Sequence, residues 1–356
     1  GNGIDDEIPM TGFIGGWASD PTVWMMNSFT QCVNPLSNTN PTVAGGLVVN
    51  NGKIEYAVMK DEYRDGLRYM HKLFEEGLLD NQTFLQDNTQ FSATMDASEG
   101  NKVAVYANGG VENSEFWQQV DGEWQNWEIL APVAGPDGVR YSGRCIQTYF
   151  QGCLGVVSST CKYPEIVVAL FDFMASEDAA HHIGGGPEGI AWKYTDEGVS
   201  LSGGTPAYEQ ITVPEDFDYV KEGGLPKAYA NYRYTPDAMI PHGSADYRGG
   251  LKIEDPSHST EYFFQQCAEL YSQYAPDVDT LVPNLSFEGE DAKIVTEGTL
   301  TIGGYVNQAL VQFIDGSLDI EKDWDAYIEK LKSMGVDEYV AAYQRTYDAY
   351  MEAQGK

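Results

Sequence analysis

No apolar run among the 356 residues approaches the ~20 needed to cross a bilayer, which excludes a membrane-spanning helix. Basic residues are scarce: 21 Lys and Arg stand against 54 Asp and Glu, a net charge of -33. Such a field repels phosphate backbones and anionic membrane surfaces, so nucleic acid is excluded as a partner. Cysteine is scarce too, at positions 32, 145, 153, 161 and 267. An odd set without a Cys-x-x-Cys pair fits no zinc pattern and no disulfide scaffold, and reads as buried or idle thiols.

The strings that announce enzymes are also missing. There is no His-Glu-x-x-His, no Gly-x-Ser-x-Gly and no phosphate-cradling Gly-Lys-Ser/Thr. Ser159-Thr160-Cys161-Lys162 matches Ser-x-x-Lys but lacks the companion motifs of the acyltransferases that use it. His181 and His182 are adjacent, and neighbours on a helix point apart, so they make a poor metal pair. Paired carboxylates for glycoside hydrolysis need a set separation, and sequence shows none.

What is present is a globular chain, 42% hydrophobic and 12% aromatic, long enough for two lobes. Asn51-Gly52 reads as a hairpin turn. Tyr63, Leu67, Met70 and Phe74 recur at helical spacing, and Gly77 reads as the cap that ends their helix. Strands are expected at Lys102–Tyr106, Trp127–Pro132 and Tyr149–Val157, with a turn at Pro136-Asp137-Gly138. Pro164 suits the first turn of a helix whose apolar residues, Ile166 to Met174, cover an arc broad enough to predict burial. Residues 193–260 are loop-rich, a stretch long enough to suggest a functional or covering role. The last section returns to helices. Trp324, Tyr327, Ile328 and Leu331 make one core stripe, and Val340, Tyr343, Tyr347 and Tyr350 another.

The 7 Trp, 23 Tyr and 14 Phe invite a sugar-binding reading, because sugar rings stack their C–H faces on aromatic planes. Trp17 and Trp192 lie in glycine-rich passages and are the candidate stacking platforms, with Gly109 and Gly110 permitting close approach. Tyr149, Gln151, Glu188, Asn113 and Arg144 are candidates for the polar edge. For each of these residues, ordinary packing is the competing account.

The C-terminal succession carries a resemblance. Tyr305 to Gln312 runs into Phe313-Ile314-Asp315-Gly316, Leu318-Asp319-Ile320 and Asp323-Trp324-Asp325-Ala326-Tyr327, and ends at Tyr347-Asp348-Ala349-Tyr350. This order of pieces resembles the end of the extracellular solute-binding proteins of bacterial ABC importers, the family 1 lipoprotein type that binds carbohydrates. The resemblance implies an α/β, two-lobe, periplasmic-binding-protein-like (type II) fold with a hinge. It implies a non-enzymatic monomer that captures a mono- or oligosaccharide in an interlobe cleft and delivers it to the transmembrane permease subunits. Residues 1–138 would form most of lobe II, and 139–192 the crossing strand and the returning part of lobe I. Residues 193–260 would cover the cleft, and 261–356 would pack as C-terminal helices on the lobes.

The family also has a calcium loop that resembles Gly1 to Pro9. On that analogy Asn2, the Ile4 carbonyl, Asp6 and Glu7 would ligate a structural calcium ion, and the rest of the loop would lie upstream. The expectation is therefore an N-terminally truncated chain with an incomplete first lobe. Its source protein would be extracellular, lipid-anchored to the outer face of the cytoplasmic membrane of a Gram-positive type bacterium. A secreted glycoside hydrolase and a non-transport surface binding module are the rival readings.

Overall fold

In the computed structural model the described residues are 6–14, 19–32, 46–95, 102–107, 127–142, 156–174, 176, 181, 188–200, 204–213, 249–255 and 260–355. The chain divides into two units: residues 1–115, 126–149 and 266–356 form the first, and 116–125 with 150–265 the second.

Among the described residues, the first unit is built around a hairpin and the helices that pack with it. Strands β2 (Leu47–Asn50) and β3 (Lys53–Tyr56) pair antiparallel, and Asn51 and Gly52 both take positive φ, as a two-residue turn demands. Helix α2 (Asp61–Glu75) buries Tyr63, Leu67 and Met70 at the expected spacing. Gly77 then turns left-handed, and the Leu78 amide reaches back to the Leu73 carbonyl at 2.8 Å, the bond that satisfies a helix end. The long helix α6 (Gly289–Ile314) packs on α2, and α8 (Val336–Ala353) packs on α6 and β3. Between them α7 (Trp324–Ser333) buries Trp324, Tyr327 and Leu331, as its stripe predicts.

On α8 the sequence stripe is partly misplaced. Tyr339, Ala342 and Tyr347 face the core, whereas Tyr350 is exposed. The contact with Gly298 fixes that rotation, because Tyr339 lies against the backbone of α6 there.

A second element of this unit positions the candidate site. Strand β1 (Ile8–Thr11) pairs in parallel with β4 (Val103–Tyr106), in register Ile8 to Val103, Met10 to Val105 and Thr11 to Tyr106. A short helix α1 (Pro21–Met26) and α3 (Asn88–Met95) lie between them in sequence. Phe91, Met95 and Val103 form a small core under this pair. Residues 127–142 form no strand, against expectation for Trp127–Pro132; they are tied by side chains instead. Ser28 Oγ donates to the Val133 carbonyl at 2.7 Å and Ser142 Oγ to the Tyr271 carbonyl at 2.7 Å. The turn at Pro136-Asp137-Gly138 is present, with Gly138 at φ 77°.

The second unit holds helix α4 (Pro164–Met174) and two small antiparallel sheets. Strand β5 (Trp192–Tyr194) pairs with β7 (Tyr208–Gln210), and β6 (Val199–Ser200) with β8 (Lys252–Ile253). Their core is Ala191, Trp192, Tyr208, Leu251 and Ile253. Pro164 opens α4 as expected, but the predicted burial of that helix is wrong: no residue on it is buried. Helix α5 (Thr260–Ser272) runs from the second unit into the first. Of the expected strand at Tyr149–Val157, residues 149–155 lie outside the described part and Val156 and Val157 are in no element.

Among the described residues, no helix is long and apolar enough to cross a membrane.

Candidate functional site

In open parallel sheets, ligands bind beyond the carboxyl ends of the strands, where the connecting loops diverge. Because β1 and β4 run side by side in one direction, the chain leaves both at the same edge. After Thr11 it enters 12–19, which carries Gly15-Gly16-Trp17; after Tyr106 it enters the segment carrying Gly109, Gly110 and Asn113. Parallel pairing thus brings the origins of two segments together that lie about ninety residues apart in sequence.

The base of the first segment is held by a polar knot. Thr11 is fully buried, and its hydroxyl donates to Asp80 Oδ2 at 3.0 Å. Asp80 Oδ1 accepts from the Gln82 amide at 3.0 Å, starting the 3₁₀ turn Asn81–Phe84. The Gln86 side-chain amide donates to Thr11 Oγ1 at 3.2 Å and to the Gly12 carbonyl. The Phe13 amide donates to the Ser19 carbonyl at 2.8 Å, tying together the two described ends of this segment. A Cβ on Gly12 would collide with that same carbonyl and stand 2.7 Å from Pro21 Cδ, so this crossing requires glycine. Asp20 then caps α1, accepting from the Thr22 amide at 3.0 Å and its hydroxyl at 2.6 Å.

Below the edge runs a row of rings. Phe13 lies 5.5 Å from Phe91, Phe91 6.5 Å from Tyr106, and Tyr106 4.7 Å edge-to-face against Trp127. Phe91 is wholly buried, whereas Phe13, Tyr106 and Trp127 keep part of their surface. A partly accessible row of packed rings can accept an apolar ring face from a ligand.

The sequence candidates fall unevenly on this structure. Trp17, Gly109, Gly110, Asn113, Arg144, Tyr149 and Gln151 lie outside the described residues, as do Asn2 and Ile4. Glu188 is exposed, on a turn where Gly189 takes φ 78° and its amide donates to the Trp192 carbonyl at 2.6 Å. Trp192 is 1% exposed. Its indole stacks on the His181 ring at 4.8 Å and meets Tyr194 edge-to-face at 4.9 Å, so it fills the core of the second unit. The ring at that surface is Tyr194, half-exposed, which no glycine run marks in sequence. His181 is fully buried among these rings.

At the calcium-like segment, Asp6 Oδ2 pairs with Lys102 Nζ at 2.8 Å, while Glu7 is exposed. Among the described residues, no group of three His, Cys, Asp or Glu could hold a metal ion. The described part of this segment therefore supplies carboxylates, one of them already neutralised by a lysine, and not a complete cation cage.

Sequence reasoning missed Asp80 and Gln86, and Thr83, whose carbonyl accepts from the Ile14 amide at 3.1 Å; together they brace the start of this segment. Nothing in their spacing ties them to Thr11; Asp80 ahead of Asn81-Gln82 signals a cap and no more.

No family model matches the chain. It is 23% identical over 353 residues to the fructooligosaccharide ABC transporter substrate-binding protein FusA of Streptococcus pneumoniae, covering 98% of this chain and 59% of FusA. The structure of FusA in complex with kestose matches at a TM-score of 0.64 with 20% identity, over 99% of this chain and 65% of that one. An HMO-binding, ABC-transporter-associated solute-binding protein from Bifidobacterium longum infantis matches at 0.68 with 21% identity, over 98% and 66%. The chain therefore has the fold of ABC-transporter solute-binding proteins over the part it shares with them. It is similar over nearly its whole length to carbohydrate-binding members of that class, and spans less than two thirds of each of them. These relatives are named as binding proteins of transporters, not as enzymes.

Proposed function

We propose that the protein is the solute-binding component of an ABC importer. It captures a mono- or oligosaccharide outside the cell and delivers it, unaltered, to a membrane permease. The observation that carries the reading is the parallel pairing of β1 with β4, which starts the Gly15-Gly16-Trp17 and Asn108-Gly109-Gly110 segments at one edge. The relatives support the ligand class, since one serves fructooligosaccharide transport and its structure holds kestose.

In this reading Trp17 is the stacking platform, and Gly109 and Gly110 let backbone amides approach sugar hydroxyls. Asn113, Arg144, Tyr149, Gln151 and Glu188 supply the polar edge. Trp192 serves by holding the Glu188 turn and not by stacking, because its own faces are occupied by packing. An anchor on the outer face of the membrane and closure of the family's two lobes about a hinge complete the proposal.

Calorimetry of the complete gene product against fructooligosaccharides and other short glycans tests it. Binding of at least one glycan is expected, weakened about tenfold or more by Trp17→Ala. Failure to bind any glycan, or turnover of a chromogenic glycoside, would overturn it.

A further inference from the structure

The chain has 54 acidic residues against 21 basic ones, so a cation on its surface has carboxylates to spare. Among the described residues, Arg64, Arg68 and Arg345 each pair with at least one of them. Arg140, in the first unit, is exposed and pairs with none. Its guanidinium is held all the same. Cζ lies 4.9 Å from the centroid of the Tyr274 ring, and Nη1 donates to the Tyr274 hydroxyl at 3.1 Å. Nε and Nη2 meet no acceptor among the described residues.

The surroundings are tied down. The Ser142 amide donates to the Tyr274 carbonyl at 2.9 Å, the Tyr141 amide to the Asn27 carbonyl at 3.2 Å, and the Tyr271 hydroxyl to the Leu130 carbonyl at 3.1 Å. These bonds gather half-buried Tyr271, the Trp24 ring 6.1 Å from it, and Leu130, 57% exposed. The same segment begins at Trp127, which belongs to the aromatic row of the candidate site. An arginine that only fastens this segment to the end of α5 would account for the Tyr274 contacts. It would not account for a guanidinium edge left without a carboxylate in so acidic a chain.

We infer that Arg140 selects a glycan that carries a carboxylate, a uronic or sialic acid unit. The carboxylate sits on the Nε–Nη2 edge, the fork that matches its two oxygens, and an apolar face of the sugar lies toward Tyr271 and Trp24. The inference rests on the glycan-binding reading above and narrows its ligand class. A neutral pair of hydroxyls gains little on an exposed guanidinium over what water offers, whereas a charge-assisted pair gains more. The net charge of -33 does not forbid such a ligand. Physiological salt screens that field beyond ~8 Å, and at contact a single carboxylate meets the charge of Arg140 itself. A polyanion would meet the field along its whole length.

The test is an array of matched glycans on the complete gene product, with calorimetry of those that bind. Uronates and sialates stand beside neutral counterparts, such as cellobiouronate with cellobiose and sialyllactose with lactose. At least one acidic glycan should bind about tenfold or more tighter than its counterpart, and which acid is preferred separates the two sources. Arg140→Gln should remove that margin and leave the neutral member unchanged. Arg140→Lys should keep part of it, because an ammonium retains the charge and loses the fork. The margin should also shrink as salt is raised. Neutral glycans bound as tightly as acidic ones, or Arg140→Gln weakening both members of a pair equally, would overturn the inference and leave the glycan-binding reading standing. Binding of no glycan at all would overturn both.

Discussion

The amide of Phe13 donates to the carbonyl of Ser19 at 2.8 Å, and that bond joins the end of β1 to the residue that precedes the Asp20 cap. Gly12 sits where any side chain would press on the same carbonyl. The loop that carries Trp17 is therefore fixed at its base by hydrogen bonding and by an absent Cβ.

Gly12→Ala should break that base. The expected cost is about 1–3 kcal/mol in urea unfolding, the usual penalty for overpacking, together with weaker glycan binding. Unchanged stability would show that the loop base yields freely.

Trp192→Ala should act on stability before it acts on recognition. The indole is almost wholly buried between His181, Tyr194 and the sheet, so its removal should cost about 3–5 kcal/mol in the second unit. Trp192→Phe should recover much of that loss. A stable Trp192→Ala protein that has lost glycan affinity would instead restore Trp192 as a stacking platform.

Gly298 is in van der Waals conflict with any substituent, since a Cβ there would meet the ring of Tyr339, with Cε2 only 3.0 Å away. Alanine is the better helix former, by about 1 kcal/mol. Gly298→Ala should nonetheless destabilise the first unit by about 1–3 kcal/mol, because α6 and α8 must separate. Thermal unfolding of Gly298→Ala and of Gly298→Ala with Tyr339→Leu would show the second change relieving the first.

Cys32 should be inert to alkylation. Burial pushes its thiol up to about 12, so thiolate is scarce at pH 8. Cys161 and Cys267 are partly accessible and should react with iodoacetamide in the native protein, with Cys32 following only in denaturant. Peptide mass spectrometry reads each site separately.

Acid should weaken the first unit through Glu321. The hydrogen bond from Arg68 Nε at 2.6 Å, with the charges of Arg68 and Arg64, holds its carboxyl below the ordinary 4.5. A depressed folded value means the unfolded chain takes up the proton first, so the contribution is present above about pH 4.5 and lost as pH falls further. Glu321→Gln should lower stability slightly at pH 7 and flatten its decline below pH 4.5. A parallel decline in both proteins would exclude Glu321 from the acid response.

Much of this was legible in the sequence where the physics is local. Asn51-Gly52 can adopt the positive φ values a tight hairpin needs, and Gly77 can end a helix left-handed; neither depends on distant residues. The stripes of α2 and α7 were equally readable, because a strong 3.6-residue period admits one buried face. The burial of α4 was misread, since an apolar arc states which face a helix would bury and not whether the fold buries it.

Sequence alone determined the strongly acidic charge, the helices and turns whose signals are carried by neighbouring residues, and the C-terminal order that points to a binding-protein class. Tertiary structure decided the rest. That Thr11 meets Asp80 and Gln86, that β1 lies beside β4, and that Trp192 is packed on His181 are contacts between residues with no shared period or spacing. Such pairings are set by how whole elements fill a common core, and a local pattern holds no record of which partner it will meet.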